Sequence, residues 1–413
     1  MSVRETPALE WHTARRVAAT SVAALPAVHA RLDEAVGSIL ATPLAALSDL
    51  PAFDAAAMDG FAVRGDGPWL IEDTTHVAGR TDPAPLEPGQ AVRIATGALL
   101  PPGATAVLRS EYAIVEGALH GSRLFRRDPL TGLPDETSSA PPAGADIRPQ
   151  GEECRAGDAL VNAGSIITPG IVGLAAASGY DTLEVIPPPR VAILVMGDEL
   201  LERGIPRPGR TRDALGPLLP PWLAALGARA NPPIRVPDTL SALLDEIDDA
   251  QVDLIVTTGS TAAGPVDHLH TALQQRGARW IVDGVEVRPG HPMLLAQLPD
   301  GRPLVGLPGN PLAAASGVVT LAAPVIASLR GLPSPAAGID AILLDDITSH
   351  PHDTRLVPVS LEHGDVSVLA RPHLHAGPAM LRGLALSDGF AIITPGSGQR
   401  GTRVEVLPNP PIA

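Results

Sequence analysis

Three short loops in the second half of the chain collect residue types that suit a phosphorylated ligand and a metal ion. The first is Gly197-Asp198-Glu199, which ends the apolar run RVAILVMGDEL. The second runs from Gly259 through Gly264 to Asp267, after VDLIVTTG. The third is Leu307-Pro308-Gly309-Asn310, after RPLVG. Glycines let a ligand approach the backbone, and a helix N-terminus after such a loop can hold a phosphate. Carboxylates at the same rim suit Mg²⁺, which prefers oxygen ligands and often bridges to substrate phosphates. Each loop alone is ordinary turn chemistry. They become a site only if the fold brings them together.

Other candidates are weaker. PAFDAAAMDGFAVRGDG holds Asp54, Asp59 and Asp66, and RIATG holds Thr96 and Gly97. Asp-Gly by itself reads as a turn. His268 and His270 diverge on a helix, and His373 and His375 share at most a strand face, so neither pair makes a zinc motif. No Walker A sequence, GxGxxG fingerprint or GxSxG elbow occurs.

The elements that must position the three loops follow from hydrophobic pattern. RVAILVM, VDLIVTTG and RPLVG are continuous apolar runs, as expected of strands buried on both faces. Between them lie the helix candidates LSALLDEIDDA and PVDHLHTALQQRG, the second opened by Pro265 and ended by Gly277. This alternation predicts a parallel, doubly wound α/β sheet from about Arg190 to Gly331. In such a sheet, ligands bind beyond the carboxyl ends of the strands, where all three loops lie. The uncharged stretch Pro303 to Leu329 reads as a buried strand, turn and helix rather than a membrane span. Elsewhere, residues 1–42 read as helix-rich, and 43–146 as short strands between Gly and Pro. Arg123 to Ala145 reads as an exposed loop, and TPGIVGLAAASGY as a helix opened by Pro169 and closed by Gly179. Pro187-Pro188-Pro189 reads as a linker, and the tail from Leu332 as a small all-β domain.

A chain of 413 residues implies several domains. Hydrophobic residues make up 45% and aromatics 2%, so the cores must be built from Ala, Leu, Val and Ile. The net charge of −15 argues against a nucleic-acid partner, although local arginines and N–H groups can still hold a small anion. Every basic residue is Arg; there is no Lys. The single cysteine, Cys154, fits a reducing compartment, and the polar N-terminus carries no secretory h-region. A cytoplasmic protein without a membrane partner is the expectation.

Taken in order, the motifs resemble the family of MoeA-type molybdopterin molybdenumtransferases, which includes the gephyrin E domain. PAFDAAAMDGFAVR is similar to that family's P-x-x-D-x-S-x-M-D-G-Y-A signature, and RIATGALLPPGATAVLRSE to its R-I-x-T-G segment. DIRPQGEECRAGDALVNAG, RVAILVMGDEL, VDLIVTTGSTAAGPVD and VRPGHP…LVGLPGNP follow at fitting positions, up to Leu332. The resemblance implies a multidomain α/β and β fold. Residues 1–42 and 147–187 would form a discontinuous helical/β dimerisation domain, and 43–146 an inserted β-rich domain. Residues 188–331 would form a MogA-like, doubly wound molybdopterin-binding domain, and 332–413 a C-terminal small β-barrel. It also implies a homodimer, adenylylated molybdopterin and molybdate as substrates, release of AMP, and Mg²⁺ as the cofactor.

By the same resemblance, Asp59 is the aspartate needed for transfer. Glu199 and Asp267 are the catalytic acids that hold the metal. Thr96, Asp213, Gly259, Gly264, Pro308, Gly309, Asn310 and Pro311 would bind substrate, with Arg288 and His291 at the two basic positions of K-P-G-K-P. Departures are Ala56 for Ser, Phe61 for Tyr, Met196 for Thr and Leu215 for Asn, with Ser260, Thr261 and Ala262 for Gly, Val and Ser. Pro358 and Pro378 stand where the family has Arg and Ser near an anion site. They motivate the alternative of a divergent, non-catalytic paralogue that binds a pterin nucleotide or acts as a scaffold.

Overall fold

The strand Arg190–Met196 is apolar throughout because both of its faces are covered. Val191, Ile193 and Val195 enter one core, and Ala192, Leu194 and Met196 enter the other. The computed structural model describes residues 7–117, 121–137, 139–261, 268–333, 338–364 and 367–410. They form two compact units. One comprises the chain up to His29, Gly37–Ala41 and Glu184 onward; the other comprises Ala30–Val36 and Thr42–Leu183.

In the first unit, Arg190–Met196 pairs in parallel with Leu254–Thr258, which pairs in parallel with Pro303–Leu307. Arg229–Ala230 and Ile234–Val236 add parallel pairings on the outer side. The sheet is not wholly parallel as the sequence suggested. Leu294–Gln297 runs antiparallel to Pro303–Leu307, and Arg279–Asp283 antiparallel to that strand. A tight return replaces a helical crossover at this edge. Helices Leu240–Asp249 and His268–Gln275 cover one face, with Leu243, Ile247, Leu269 and Leu273 buried.

Helix Leu215–Ala225 and the helical run Pro311–Leu329 cover the other face. The run Pro311–Leu329 is long and apolar enough to cross a bilayer, yet 89% of its apolar window is buried inside the protein. It is a core helix. The predicted strand, turn and helix are thus present. Against it packs helix Trp11–Ala19, whose Trp11 Nε1 donates to Thr320 Oγ1 at 2.9 Å. Of the helix-rich reading of residues 1–42, the described part keeps this α-helix. Residues 28–31 and 39–40 are strands. Pro188 and Pro189 are buried, and the Pro189 carbonyl accepts from Arg229 N–H at 2.8 Å. The triple proline is a packed connection rather than a free linker.

The tail closes into a five-stranded barrel. Ile339–Leu343, Val368–Pro372, Thr354–His363, Gly389–Ile393 and Arg403–Pro408 pair in that order, and the last returns to the first. Closure leaves no free sheet edge. Val287–Arg288 pairs with Thr354–Arg355 and ties the barrel to the α/β domain.

The second unit is built on a sheet that includes Gly60–Val63, Gln90–Ile94, Ala106–Arg109, Trp69–His76 and Arg123–Arg127. Arg123–Arg127 corrects the expected exposed loop. Leu124 is fully buried and pairs with Trp69, Phe125 beside it is buried too, and only the end residues Arg123 and Arg127 are exposed. Helix Pro169–Ala177 starts where expected, with Thr168 Oγ1 accepting from Ile171 N–H, and the chain turns at Gly179 with φ +101°.

Candidate functional site

The three predicted loops do meet. Their residues line one cavity of about 740 Å³ at the carboxyl edge of the sheet, a size suited to a small-molecule ligand. Glu199, Asp213, Gly259, Pro308, Gly309, Asn310 and Pro311 all border it. Gly264 and Asp267 lie outside the described residues. The barrel adds Ala379 and Leu381, which the strand-end rule gave no reason to expect.

The first loop carries Glu199. Both of its carboxylate oxygens lie 3.0 Å from where a Cβ on Gly197 would stand, so the glycine leaves room for the side chain. Glu199 is exposed, and its carboxylate makes no hydrogen bond or ion pair with a described residue. Asp213 is the opposite. It is buried, and its Oδ1 accepts from the N–H groups of Leu215 (3.0 Å) and Gly216 (2.9 Å). Its Oδ2 lies 3.7 Å from Arg235 Nη1. Asp213 therefore organises the start of helix Leu215–Ala225 as well as facing the cavity.

The second loop departs from ordinary backbone. Gly259 has φ +85° and Ser260 φ +51°. Glycine reaches that region freely, whereas a serine there is strained. The half-buried Ser260, with Thr258 and Thr261, brings hydroxyl groups to the cavity wall.

The third loop corrects the expectation of a helix N-terminus that holds phosphate. Pro311 has no N–H, and the next two donors, Leu312 and Ala313, both point at the Pro378 carbonyl, at 2.9 and 3.2 Å. Ala314 N–H is taken by Asn310 O. With Asp213 occupying the donors of the other helix start, neither N-terminus has these groups left for an anion. Pro378, noted in the sequence only as a departure, serves here through its carbonyl.

Arg288 and His291 border a second cavity of about 680 Å³, which shares Pro292, Pro308 and Asn310 with the first. Arg288 Nε donates to Asp353 Oδ2 at 2.7 Å, so its charge is already paired. His291 Nδ1 lies 2.8 Å from the Val285 carbonyl, which makes that nitrogen the donor. Arg355 and His350 add basic side chains to the same walls.

Asp59 and Thr96 belong to the other unit, and the structure joins these two weak signals. Asp59 Oδ1 accepts from Thr96 N–H at 2.7 Å and from Thr96 Oγ1 at 3.0 Å. The backbone bond and then the hydroxyl bond from Thr96 hold the Asp59 carboxyl below the usual carboxylate range. Gly60 is required by packing, because a Cβ there would stand 2.1 Å from the Leu108 carbonyl oxygen. Asp54 and Asp66 are loop ties, accepting from Gln150 N–H and Ala140 N–H at 2.7 and 2.8 Å.

Sequence reasoning missed Asp238, Arg235 and Asp353. Asp238 borders the first cavity. It precedes Thr239, the N-cap of helix Leu240–Asp249, and that helix-start pattern was the available signal. Arg235 and Asp353 had none, because their partners lie far away in the chain. His270 Nε2 sits 3.0 Å from Asp283 Oδ1.

Comparison with known proteins matches the chain along nearly its whole length. Residues 9–179 match the model of the MoeA N-terminal region (domain I and II). Residues 192–328 match a probable molybdopterin binding domain, and residues 340–409 the MoeA C-terminal region (domain IV). The molybdopterin molybdenumtransferase 2 of Mycobacterium tuberculosis is 31% identical over 397 residues, spanning 91% of this chain and 93% of that protein. The molybdopterin molybdenumtransferase of Bacillus subtilis is 30% identical over 396 residues, spanning 91% and 88%. A crystal structure of a molybdopterin biosynthesis MoeA protein from Pyrococcus horikosii aligns with a TM-score of 0.72 at 26% identity. It covers 97% of this chain and 98% of that one.

Proposed function

Because this chain belongs to the MoeA family of molybdopterin molybdenumtransferases, we propose that it makes molybdenum cofactor from adenylylated molybdopterin and molybdate. One water is consumed as the phosphate–phosphate link breaks. AMP leaves, and the two dithiolene sulfurs bond molybdenum as their protons carry one molybdate oxygen away as water. The observation that carries this reading is the convergence of all three strand-end loops on one cavity of about 740 Å³. Apolar walls from Met196, Leu200, Leu215 and Leu381 suit a planar body, and the hydroxyl and carboxylate rim suits its polar groups.

Glu199 fits a divalent cation by donor chemistry. It is an exposed oxygen ligand at the cavity with no described partner, and Mg²⁺ takes one or two carboxylates and completes its shell with water and substrate phosphates. Glu199 would hold the ion, with Asp267 as the second ligand. When bound, the ion offsets charge on the phosphates. Asp213 is already committed to backbone donors, so its part is to orient. Asp59, kept ionised by Thr96, supplies a fixed negative charge for transfer. With the Arg288 charge paired to Asp353, Arg355, His291 and His350 would give the second cavity the basic side chains for an oxyanion such as molybdate. In this reading the chain works in the cytoplasm as a homodimer.

The alternative of a non-catalytic paralogue is not favoured, since the relatives that share 91% of this chain are themselves named as transferases. The test is complementation of a strain lacking its own molybdenumtransferase, with AMP release measured on the purified protein. Restored molybdoenzyme activity together with molybdate-dependent AMP release is expected. Pterin-nucleotide binding with neither would reinstate the paralogue.

A further inference from the structure

Glu199 is free at its carboxylate but held on both sides by one short segment, residues 235–238. On one side, Asp198 N–H donates to Asp238 Oδ2 at 3.0 Å, and Asp238 N–H returns a weaker bond to Asp198 Oδ1 at 3.4 Å. On the other, Arg235 Nη2 donates to the Leu200 carbonyl at 2.9 Å. The second guanidinium nitrogen, Nη1, is buried without a hydrogen bond and faces Asp213 Oδ2 at 3.7 Å. One planar cation thus reaches the backbone beside Glu199 and the carboxylate of Asp213, on two short segments that also pair directly, Thr211 N–H donating to the Glu199 carbonyl and Asp213 N–H to the Leu201 carbonyl, each at 3.0 Å. The strand that carries Arg235 pairs with Leu194–Met196 and needs none of these contacts for its own ladder.

We propose that Arg235, assisted by Asp238, is a positioning residue that sets Glu199 and Asp213 relative to each other. The inference rests on the reading that Glu199 serves the transfer reaction. A carboxylate that must meet a cation or substrate cannot spend its oxygens on protein contacts. Its geometry has to come from neighbouring backbone, and a residue behind it can supply that. Arginine suits the task because its fork spans two acceptors, which a lysine ammonium cannot do.

The test uses the full chain with three variants, Arg235→Lys, Asp238→Asn and Glu199→Gln. Molybdenum insertion is resolved into kcat and KM, and amide hydrogen exchange is followed across residues 198–201 and 211–213. Arg235→Lys is expected to lower kcat/KM by about 10- to 100-fold, mostly in kcat, and to speed exchange at 198–201 while the global melting curve stays near that of the parent. Asp238→Asn loosens the same loop from its other side and is expected to show a smaller effect of the same kind. It keeps the inference testable if the Arg235 variant does not fold. Wild-type kinetics and exchange in whichever of these two variants folds overturn the inference while leaving the enzyme reading intact. Wild-type insertion by Glu199→Gln would instead remove the reading that Glu199 serves the transfer reaction, and the inference with it.

Discussion

Glu199 and Asp59 are two exposed carboxylates supported in opposite ways. Asp59 is held by its own oxygen, which takes two hydrogen bonds from Thr96, one residue of an adjacent strand end. Glu199 gives no oxygen to a described residue and is placed through the backbone on either side of it. The first arrangement lowers the carboxyl's proton affinity and fixes its charge; the second leaves the oxygens available and fixes only their location. Substitution of Asp59 should therefore separate charge from structure cleanly, whereas the α/β cavity should answer to residues well behind its wall.

The largest effect expected is from Asp59→Asn. Its amide oxygen can still accept from Thr96, so stability should stay within about 0.5 kcal/mol of the parent, while insertion falls by about 100-fold or more. Melting curves and insertion rates on one preparation decide this, and an undiminished rate would make Asp59 a turn residue only. Because Thr96 depresses the Asp59 carboxyl, its charge persists at every pH above the ordinary carboxylate range. An acid limb of activity near pH 5 to 6 is then not expected from this group.

Asp213→Ala should act on both stability and activity. It strips the acceptor from Leu215 and Gly216 N–H and leaves the Arg235 guanidinium facing no carboxylate. The expected cost is about 1–3 kcal/mol, readable by urea denaturation. A neutral result would mean that the start of helix Leu215–Ala225 has another cap.

Ser260→Gly should move stability the other way. Removing a side chain from φ +51° relieves strain of about 1 kcal/mol. If the hydroxyl also contacts ligand, KM rises while the melting temperature rises. A destabilised glycine variant would contradict the strain reading.

The smallest effect concerns the Arg109–Asp146 pair, joined by two bonds of 2.8 Å. The Arg109 guanidinium lowers the Asp146 carboxyl, so the pair's contribution is present above the unfolded carboxylate value and lost as pH falls through the lower folded value. Asp146→Asn should flatten the acid side of the stability profile below about pH 4 and leave neutral activity unchanged. An identical acid profile would show that the pair adds nothing measurable, as many exposed pairs do.

What the chain's letters determined by themselves was local and periodic. RVAILVM had to be a strand with two covered faces because both of its alternating sets are apolar, and the structure divides those sets between two cores. The loops after Met196, Thr258 and Leu307 then had to lie at one sheet edge, since parallel strands point the same way. Strand Arg123–Arg127 was illegible because three of its five residues are Arg and because one neighbour, at Trp69 and Leu70, lies more than 50 residues away, although the other, Ala113–Glu116, is close in the chain. What only the tertiary structure decided was which polar groups remain available. The Pro378 carbonyl occupies the donors of Leu312 and Ala313, Asp353 pairs with Arg288, and Arg235 reaches Leu200 and Asp213. Each of these joins segments remote in the chain. Hydrophobic periodicity reports how a residue faces its own neighbours, whereas a hydrogen bond or ion pair across the fold depends on where another part of the chain comes to rest.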